Sequence, residues 1–325
     1  MHNGKVGIIG TGWIADMMAR TLTGIDPKMK YAVASRTLEK AQQFAAQWGF
    51  EKAYGSYREL VEDPEVELVY VATPHSHHYD NSVMAIEAGK PVLCEKAFTA
   101  NARQADALLD LAHRKGVFIT EAIWTRYMPL SAQIRQVMES GIIGQPRLLN
   151  ASLCYMMEFK ERILRPDLCG GALLDLGVYS INFARMYFGK DVVAQSTSCV
   201  KGTTGMDMYN AISWTYRDGR VANIQSSTMG LCGRIGQICG TEGYIIVDNI
   251  NCPQKFTVFK DYQPVAVYEK PAAQITGYEY QVLASFEAID KGLLESPYMS
   301  HQETLDIMKL MDSLRKEWGV VYPMD

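Results

Sequence analysis

Over residues 1–122, short apolar runs alternate with helical periodicity. Val6-Gly7-Ile8-Ile9 is a continuous apolar run, and Ile14, Met17, Met18 and Leu22 follow at helical spacing. The same alternation predicts strands at Tyr31–Ala34, Leu68–Ala72, Val92–Cys94 and Val117–Thr120. Between them the spacing predicts helices over Leu38–Trp48 and Asn81–Ala88, and one marked by Ala105, Leu108, Leu109 and Ala112. Strands that alternate with helices form a parallel sheet covered on both faces. Their continuous apolar character fits burial on both sides.

From residue 123 the pattern changes. A helix over Leu130–Glu139 ends at Gly141, and another starts at Gly170-Gly171 and runs to about Tyr187. Period-two segments then dominate. Ile212, Trp214 and Tyr216 alternate with Ala211, Ser213 and Thr215, and Asp218-Gly219 makes a hairpin turn. Ile235–Cys239 and Tyr244–Val247 flank Gly-Thr-Glu-Gly, and Phe256–Phe259 faces Val265–Tyr268. Ile307, Leu310, Met311, Leu314 and Trp318 lie on a closing amphipathic helix. The expected fold class is α/β: a doubly wound parallel-sheet (Rossmann) domain over 1–122, then an α+β domain over 123–325 with a large, mostly antiparallel open sheet.

Composition narrows the function. The 325 residues carry 48% hydrophobic and 21% charged side chains, a globular profile, and a net charge of -4. That balance gives no electrostatic reason for nucleic acid or an anionic membrane as partner. No apolar run approaches a membrane span, and Met-His-Asn-Gly-Lys leads directly into a strand, so no signal peptide is expected. Seven cysteines, odd in number, scattered and without a C-x-x-C pair, point to reduced thiols and a cytoplasmic location.

Gly10-Thr11-Gly12-Trp13-Ile14-Ala15 is a G-x-G-x-x-A between a strand and a helix. The first glycine makes the tight turn and the second lets the backbone approach a pyrophosphate. The small third residue packs helix on strand, and the helix N-terminus faces the anion. The next strand ends at Ser35-Arg36, where an NAD enzyme places a carboxylate for the ribose hydroxyl. Arg36 instead offers a planar fork for a 2′-phosphate, and Lys40, one turn on, adds charge. NADP is therefore expected rather than NAD.

Three further segments carry chemistry. Thr73-Pro74-His75-Ser76-His77-His78 follows a strand end, where ligands sit in a doubly wound sheet, so Thr73, Pro74, His75 and His78 are candidate cofactor contacts. No partnering cysteines or ordered carboxylates make the histidines a metal site, and none is expected. Glu95-Lys96 ends the next strand, and Lys96 there can bind an alcohol or a ribose hydroxyl. On the helix after Gly170-Gly171, Asp175 and Tyr179 are four residues apart and share a face with Ala172 and Asn182. Tyr179 is either a proton donor and acceptor or a core tyrosine bonded to Asp175, and the residues alone leave both readings open.

Together these segments resemble the glucose–fructose oxidoreductase, inositol dehydrogenase and rhizopine catabolism (Gfo/Idh/MocA) family over the whole chain. The resemblance is strongest to the dimeric dihydrodiol dehydrogenase and NADP-linked xylose dehydrogenase branch, through Ser35-Arg36, Ala53–Tyr57, Val92–Lys96, Glu121–Arg126 and Gly170–Tyr179. It implies that Lys96 and Tyr179 are catalytic, with Asp175 beside them, and that Trp124 and Arg126 lie near the substrate or nicotinamide. Glu95, which ends its strand at the same crevice, is a candidate cofactor contact by position. The implied reaction passes hydride between NADP and a CH–OH carbon of a sugar, polyol or dihydrodiol, in a homodimer or higher homo-oligomer. Ala97 departs from the family's proline after the lysine. A non-proline cis bond there costs about 2.5–4 kcal/mol, so either the loop relaxes to trans and re-aims Lys96, or tertiary contacts hold the cis form. No G-x-S-x-G elbow and no P-loop supports a hydrolase or kinase. A non-catalytic NADP-sensing protein of the same fold is the alternative.

Overall fold

In the computed structural model, which describes residues 4–325, the chain divides into two units. The first holds residues 4–123, 274–309 and 324–325, the second 124–273 and 310–323.

The first unit is built on a six-stranded parallel sheet ordered β3-β2-β1-β4-β5-β6. Its elements run β1 (Val6–Ile9), α1 (Trp13–Ile25), β2 (Lys30–Ala34), α2 (Leu38–Trp48), β3 (Lys52–Tyr54) and α3 (Tyr57–Glu62). They continue with β4 (Leu68–Val71), α4 (His78–Glu87), β5 (Val92–Glu95), α5 (Ala102–Lys115) and β6 (Ile119–Ala122). Every residue of β1, β2, β4, β5 and β6 is buried, which is what helices on both faces of a parallel sheet require. The order reverses between β1 and β4, so the crevice beyond their carboxyl ends is the topological switch point where ligands bind.

The second unit starts with α6 (Pro129–Glu139), β7 (Pro146–Cys154) and α7 (Glu161–Leu164). A π-helical turn over Leu173–Gly177 leads into α8 (Val178–Phe188). The strands β8 (Val192–Lys201), β9 (Asp207–Tyr216), β10 (Val221–Ser227), β11 (Gly236–Gly240), β12 (Tyr244–Val247), β13 (Lys255–Lys260) and β14 (Gln263–Glu269) follow. Their eight-stranded sheet is ordered β14-β13-β12-β11-β7-β10-β9-β8, and its one parallel pair is β7 with β10. The inner face buries Ile212, Trp214, Tyr216 and Ile224, and α8 packs against β7 and β10. At Gly236 the sheet has no Cβ because the ring of Phe183 occupies that space.

By contacts, residues 123–325, expected as one domain, divide between the two units, with 274–309 grouping with the first. The chain returns to the first unit through α9 (Glu279–Asp290) and the start of α10 (His301–Trp318), and the division falls within α10. Thr21 and Thr276 share a hydroxyl bond of 2.7 Å, and Glu279 Oε2 accepts the N–H groups of Thr276 and Gly277 at 3.0 and 2.7 Å. Leu294 O accepts from Ile119 N at 3.1 Å. These side-chain contacts have no local periodic signature, so α9 was not visible in the pattern. Nor were β7 and β8, whose residues are largely half-buried or exposed.

Candidate functional site

In the first unit the glycine loop is shaped by backbone. Gly10 has φ +112°, and a Cβ there would stand 2.8 Å from Ala72 O, so only glycine fits. Gly12 is the N-cap of α1, makes no side-chain cap, and has nothing within 4 Å of where its Cβ would stand. The first N–H groups of α1 have no intrahelical carbonyl to bond, and the space beside Gly12 is open, as a pyrophosphate cradle needs. Thr11 and Ile14 are half-buried beside it, and Trp13 is 71% exposed.

Ser35 is buried, and its N–H donates to Tyr54 O at 3.2 Å, which ends β2 and turns Arg36 and Lys40 outward, both exposed. The Arg36 charge faces Tyr57, whose hydroxyl burial pushes upward while Arg36 opposes the shift. The guanidinium and ammonium thus remain available to an anion at this strand end.

Behind this edge, Asp63 accepts from Tyr54 Oη at 2.6 Å, Lys52 Nζ at 2.9 Å and Tyr31 Oη at 3.1 Å. Although burial pushes upward, those donors and the Glu65 N–H hold its carboxyl far below the usual range.

The candidate contacts at the ends of β4 and β5 fall into two groups. Thr73 is half-buried, Pro74 is exposed, and Lys96 is half-buried. His75, His78 and Glu95 turn inward. His78 is 1% exposed, with Nδ1 2.8 Å from Ala97 O and Nε2 2.8 Å from Thr73 O. Burial pushes its imidazole down to about 4, so the ring is neutral at pH 7 and donates to one of these carbonyls at a time. It ties the two loops together from beneath rather than presenting a nitrogen to a ligand. His75 is buried edge-on to His78, with ring centroids 5.6 Å apart. Glu95 is 5% exposed, accepting Tyr70 Oη on Oε1 and the Lys96 N–H on Oε2 at 3.2 Å. Among the described residues no cluster of three His, Cys, Asp or Glu converges as a metal site would.

The Lys96–Ala97 bond is cis, the second of the two alternatives posed by Ala97. Ala97 is buried, and Phe98 N donates to Glu121 Oε1 at 3.1 Å.

In the second unit, Trp124, Arg126, Asp175 and Tyr179 meet around the π-helical turn and α8. Tyr179 is 7% exposed, and its oxygen accepts the Trp124 indole N–H at 2.8 Å. An indole only donates, so in this bond the phenol oxygen accepts. Arg126 Nε donates to Asn182 Oδ1 at 2.5 Å, and Asn182 Nδ2 donates to Val178 O at 2.7 Å. Asp175 is 6% exposed and is gripped by a residue that the sequence reading missed: both Arg162 terminal nitrogens donate to it at 3.0 Å. Nothing in the sequence distinguished Arg162 from Arg165, which instead pairs with Glu161 and Asp167. Asp207 was also missed. It is fully buried, and its Oδ2 accepts Leu173 N at 2.7 Å.

Two domain models match the chain: the oxidoreductase family with NAD-binding Rossmann fold over residues 4–122, and the GFO/IDH/MocA C-terminal domain over 131–246. A trans-1,2-dihydrobenzene-1,2-diol dehydrogenase from Danio rerio is 35% identical over 300 residues, 90% of each chain. A D-xylose 1-dehydrogenase (NADP(+)) from Hypocrea jecorina is also 35% identical, over 98% of this chain and 93% of its own. Among solved structures, a 3-ketoreductase from Actinomadura kijaniata in complex with TDP-benzene and NADP has the same fold, with a TM-score of 0.84 at 24% identity and 96% coverage of both chains. Glycine loop, strand order and near-full-length identity lead to one assignment: the chain belongs to the Gfo/Idh/MocA oxidoreductase family.

Proposed function

We propose that this protein is an NADP-dependent oxidoreductase acting on a CH–OH carbon of a sugar, polyol or dihydrodiol. The open Gly10–Gly12 cradle at the N-terminus of α1 carries the reading, and Arg36, where an NAD enzyme has a carboxylate, specifies the phosphorylated cofactor. Bound NADP supplies or removes hydride. Thr11, Trp13 and Ile14 line the pyrophosphate, Ser35, Arg36 and Lys40 hold the adenosine end, and Thr73 and Pro74 border the nicotinamide. His75, His78 and Glu95 act from behind this surface by fixing the loops that carry those contacts.

Tyr179 exchanges the hydroxyl proton of the substrate, with its oxygen fixed by Trp124. Lys96, at the end of β5 in the first unit, is the second catalytic residue, its ammonium favouring the anionic form of a substrate oxygen. Asp175, clamped by Arg162, orients the substrate's neighbouring hydroxyl groups. The relatives named above, dehydrogenases of a dihydrodiol and of xylose, support this substrate class. The alternative, a non-catalytic NADP sensor, has no use for a retained lysine and tyrosine.

We further propose a homodimer through the outer face of the eight-stranded sheet, where Val200 is exposed on the face that carries Ser196, Ser198, Asn223 and Gln225. The scattered, odd cysteine set favours a reducing, cytoplasmic compartment. A panel of aldoses, polyols and trans-dihydrodiols with NADP, followed at the nicotinamide absorbance, tests the function. Turnover of one class supports the reading, and saturable NADPH binding with no turnover across the panel selects the sensor.

A further inference from the structure

One buried carboxylate in the second unit plays no part in this reaction scheme. Asp207 opens β9, is fully buried, and sits at the glycine pair before the π-helical turn. Its Oδ2 accepts the Leu173 N–H at 2.7 Å and Asn210 Nδ2 at 2.9 Å, and Asn210 Oδ1 accepts the Ser226 hydroxyl at 2.9 Å. Its Oδ1 has no hydrogen-bond partner among the described residues and lies where a Cβ on Gly171 would stand. From the other side, Tyr322 donates to Gly170 O at 2.8 Å. The helical segment that carries Asp175 and Tyr179 is thus pinned at its start by one carboxylate oxygen.

We propose that Asp207 is a proton-sensitive anchor for that segment, a positioning residue that acts on Asp175 and Tyr179 through the Leu173 N–H. Its catalytic consequence rests on the oxidoreductase reading above. The groups facing it are few. Arg315 on α10 favours the anion, itself bound to Asp312 at 2.6 Å and stacked on Tyr322. Cys199 on β8 is pushed up to about 12, chiefly by burial and then by Asp207, so it stays a neutral thiol. Lys201 lies opposite Asp207 in the β8–β9 register, its ammonium 3.3 Å from Gly319 O. Burial pushes the Asp207 carboxyl up to about 7 against the Asn210 and Leu173 bonds. The acid and its anion therefore exchange near neutrality. Burial disfavours the anion in the closed segment, whereas an opened segment solvates it, so by linkage the start of the segment loosens as pH rises towards 7.

Hydrogen exchange of peptides spanning 170–180, compared between wild type and Asp207→Asn at matched pH from 5.5 to 8.5, reads the anchor without any turnover. Protection of wild type relative to the variant should fall as pH rises from 5.5 and level off above pH 7. On the active substrate, wild-type kcat should carry a descending limb near pH 7 that Asp207→Asn, which mimics the neutral acid, lacks, leaving wild type roughly three- to tenfold slower than the variant at pH 8 and equal at pH 6. Asn210→Ala keeps the carboxylate but removes a donor that stabilises the anion, so it should move both transitions to higher pH. If Asp207→Asn does not fold, this variant alone decides. A protection ratio flat with pH, or transitions unmoved in Asn210→Ala, overturns the proposal. A moving protection ratio with an unmoved kcat limb overturns the positioning role. No turnover on any substrate, with the exchange result intact, removes the oxidoreductase reading and leaves the anchor standing.

Discussion

Two glycine turns open two helical segments in this molecule, and their surroundings are opposite. At Gly10–Gly12 the backbone curls tightly against Ala72, but the space before α1 is open. At Gly170–Gly171 the turn has similar freedom, with φ +105° at Gly171, yet the space is full. Ile163 O, Asp207 Oδ1 and the Tyr322 hydroxyl crowd it. A helix start exposes N–H groups that attract negative charge. The first turn leaves that demand for a ligand to meet. The second meets it with an internal carboxylate. One glycine pair thus makes a binding site and the other a rigid mount, and the difference lies in what folds against it.

That comparison can be broken in several places. The largest effect is expected on the mount's cargo. Tyr179→Phe and Lys96→Met should each lower kcat by about 10²- to 10⁴-fold while NADPH affinity stays near wild type. Turnover near wild type in both would reject the assignment. Next, Gly12→Val puts side chain into open space, so NADPH binding should fall by about 100-fold or more with thermal stability almost unchanged. Gly171→Ala should do the reverse, lowering stability by about 2–4 kcal/mol with the cofactor Kd preserved in the protein that folds. A Gly12→Val protein that unfolds, or a Gly171→Ala protein as stable as wild type, would contradict the distinction.

Arg36→Asp should shift preference from NADPH towards NADH by roughly tenfold or more, read as a ratio of Kd values. A further effect, on stability alone, concerns Asp63, the satisfied counterpart of Asp207. Its folded pKa is depressed, so its contribution is present above the unfolded value and is lost as pH falls through the folded one. Asp63→Asn should therefore cost about 2 kcal/mol at pH 7, and denaturant titrations should show that cost shrinking below pH 4.

The legible parts of the sequence were those governed by local rules. Runs such as Leu68–Val71 and the G-x-G-x-x-A signal follow from strand burial and turn sterics within a few residues, so the parallel sheet and its loop were readable. So were the hairpins, through Asp218-Gly219 and the period-two residues. The C-terminal return was not, because α9 is held by Thr21, Thr276 and Glu279 across the chain. Nor were the mates of the site residues. Tyr179 was left between a proton-transfer role and a bond to Asp175. The bonds found are from Trp124 to Tyr179 and from Arg162 to Asp175, 55 and 13 residues apart in sequence. Sequence spacing on one helix face cannot report such partners. His78 and Glu95, expected as ligand contacts from their place after strand ends, have buried side chains held by partners that no local pattern reports.

The central claim is that an open glycine cradle and an arginine select a phosphorylated dinucleotide. Trp13 beside the cradle offers a fluorescence signal for titrating NADPH and NADH into wild type and Gly12→Val under one set of conditions. The account predicts that wild type binds NADPH more tightly than NADH and that Gly12→Val loses both. Tighter binding of NADH, or undiminished binding by Gly12→Val, would contradict it.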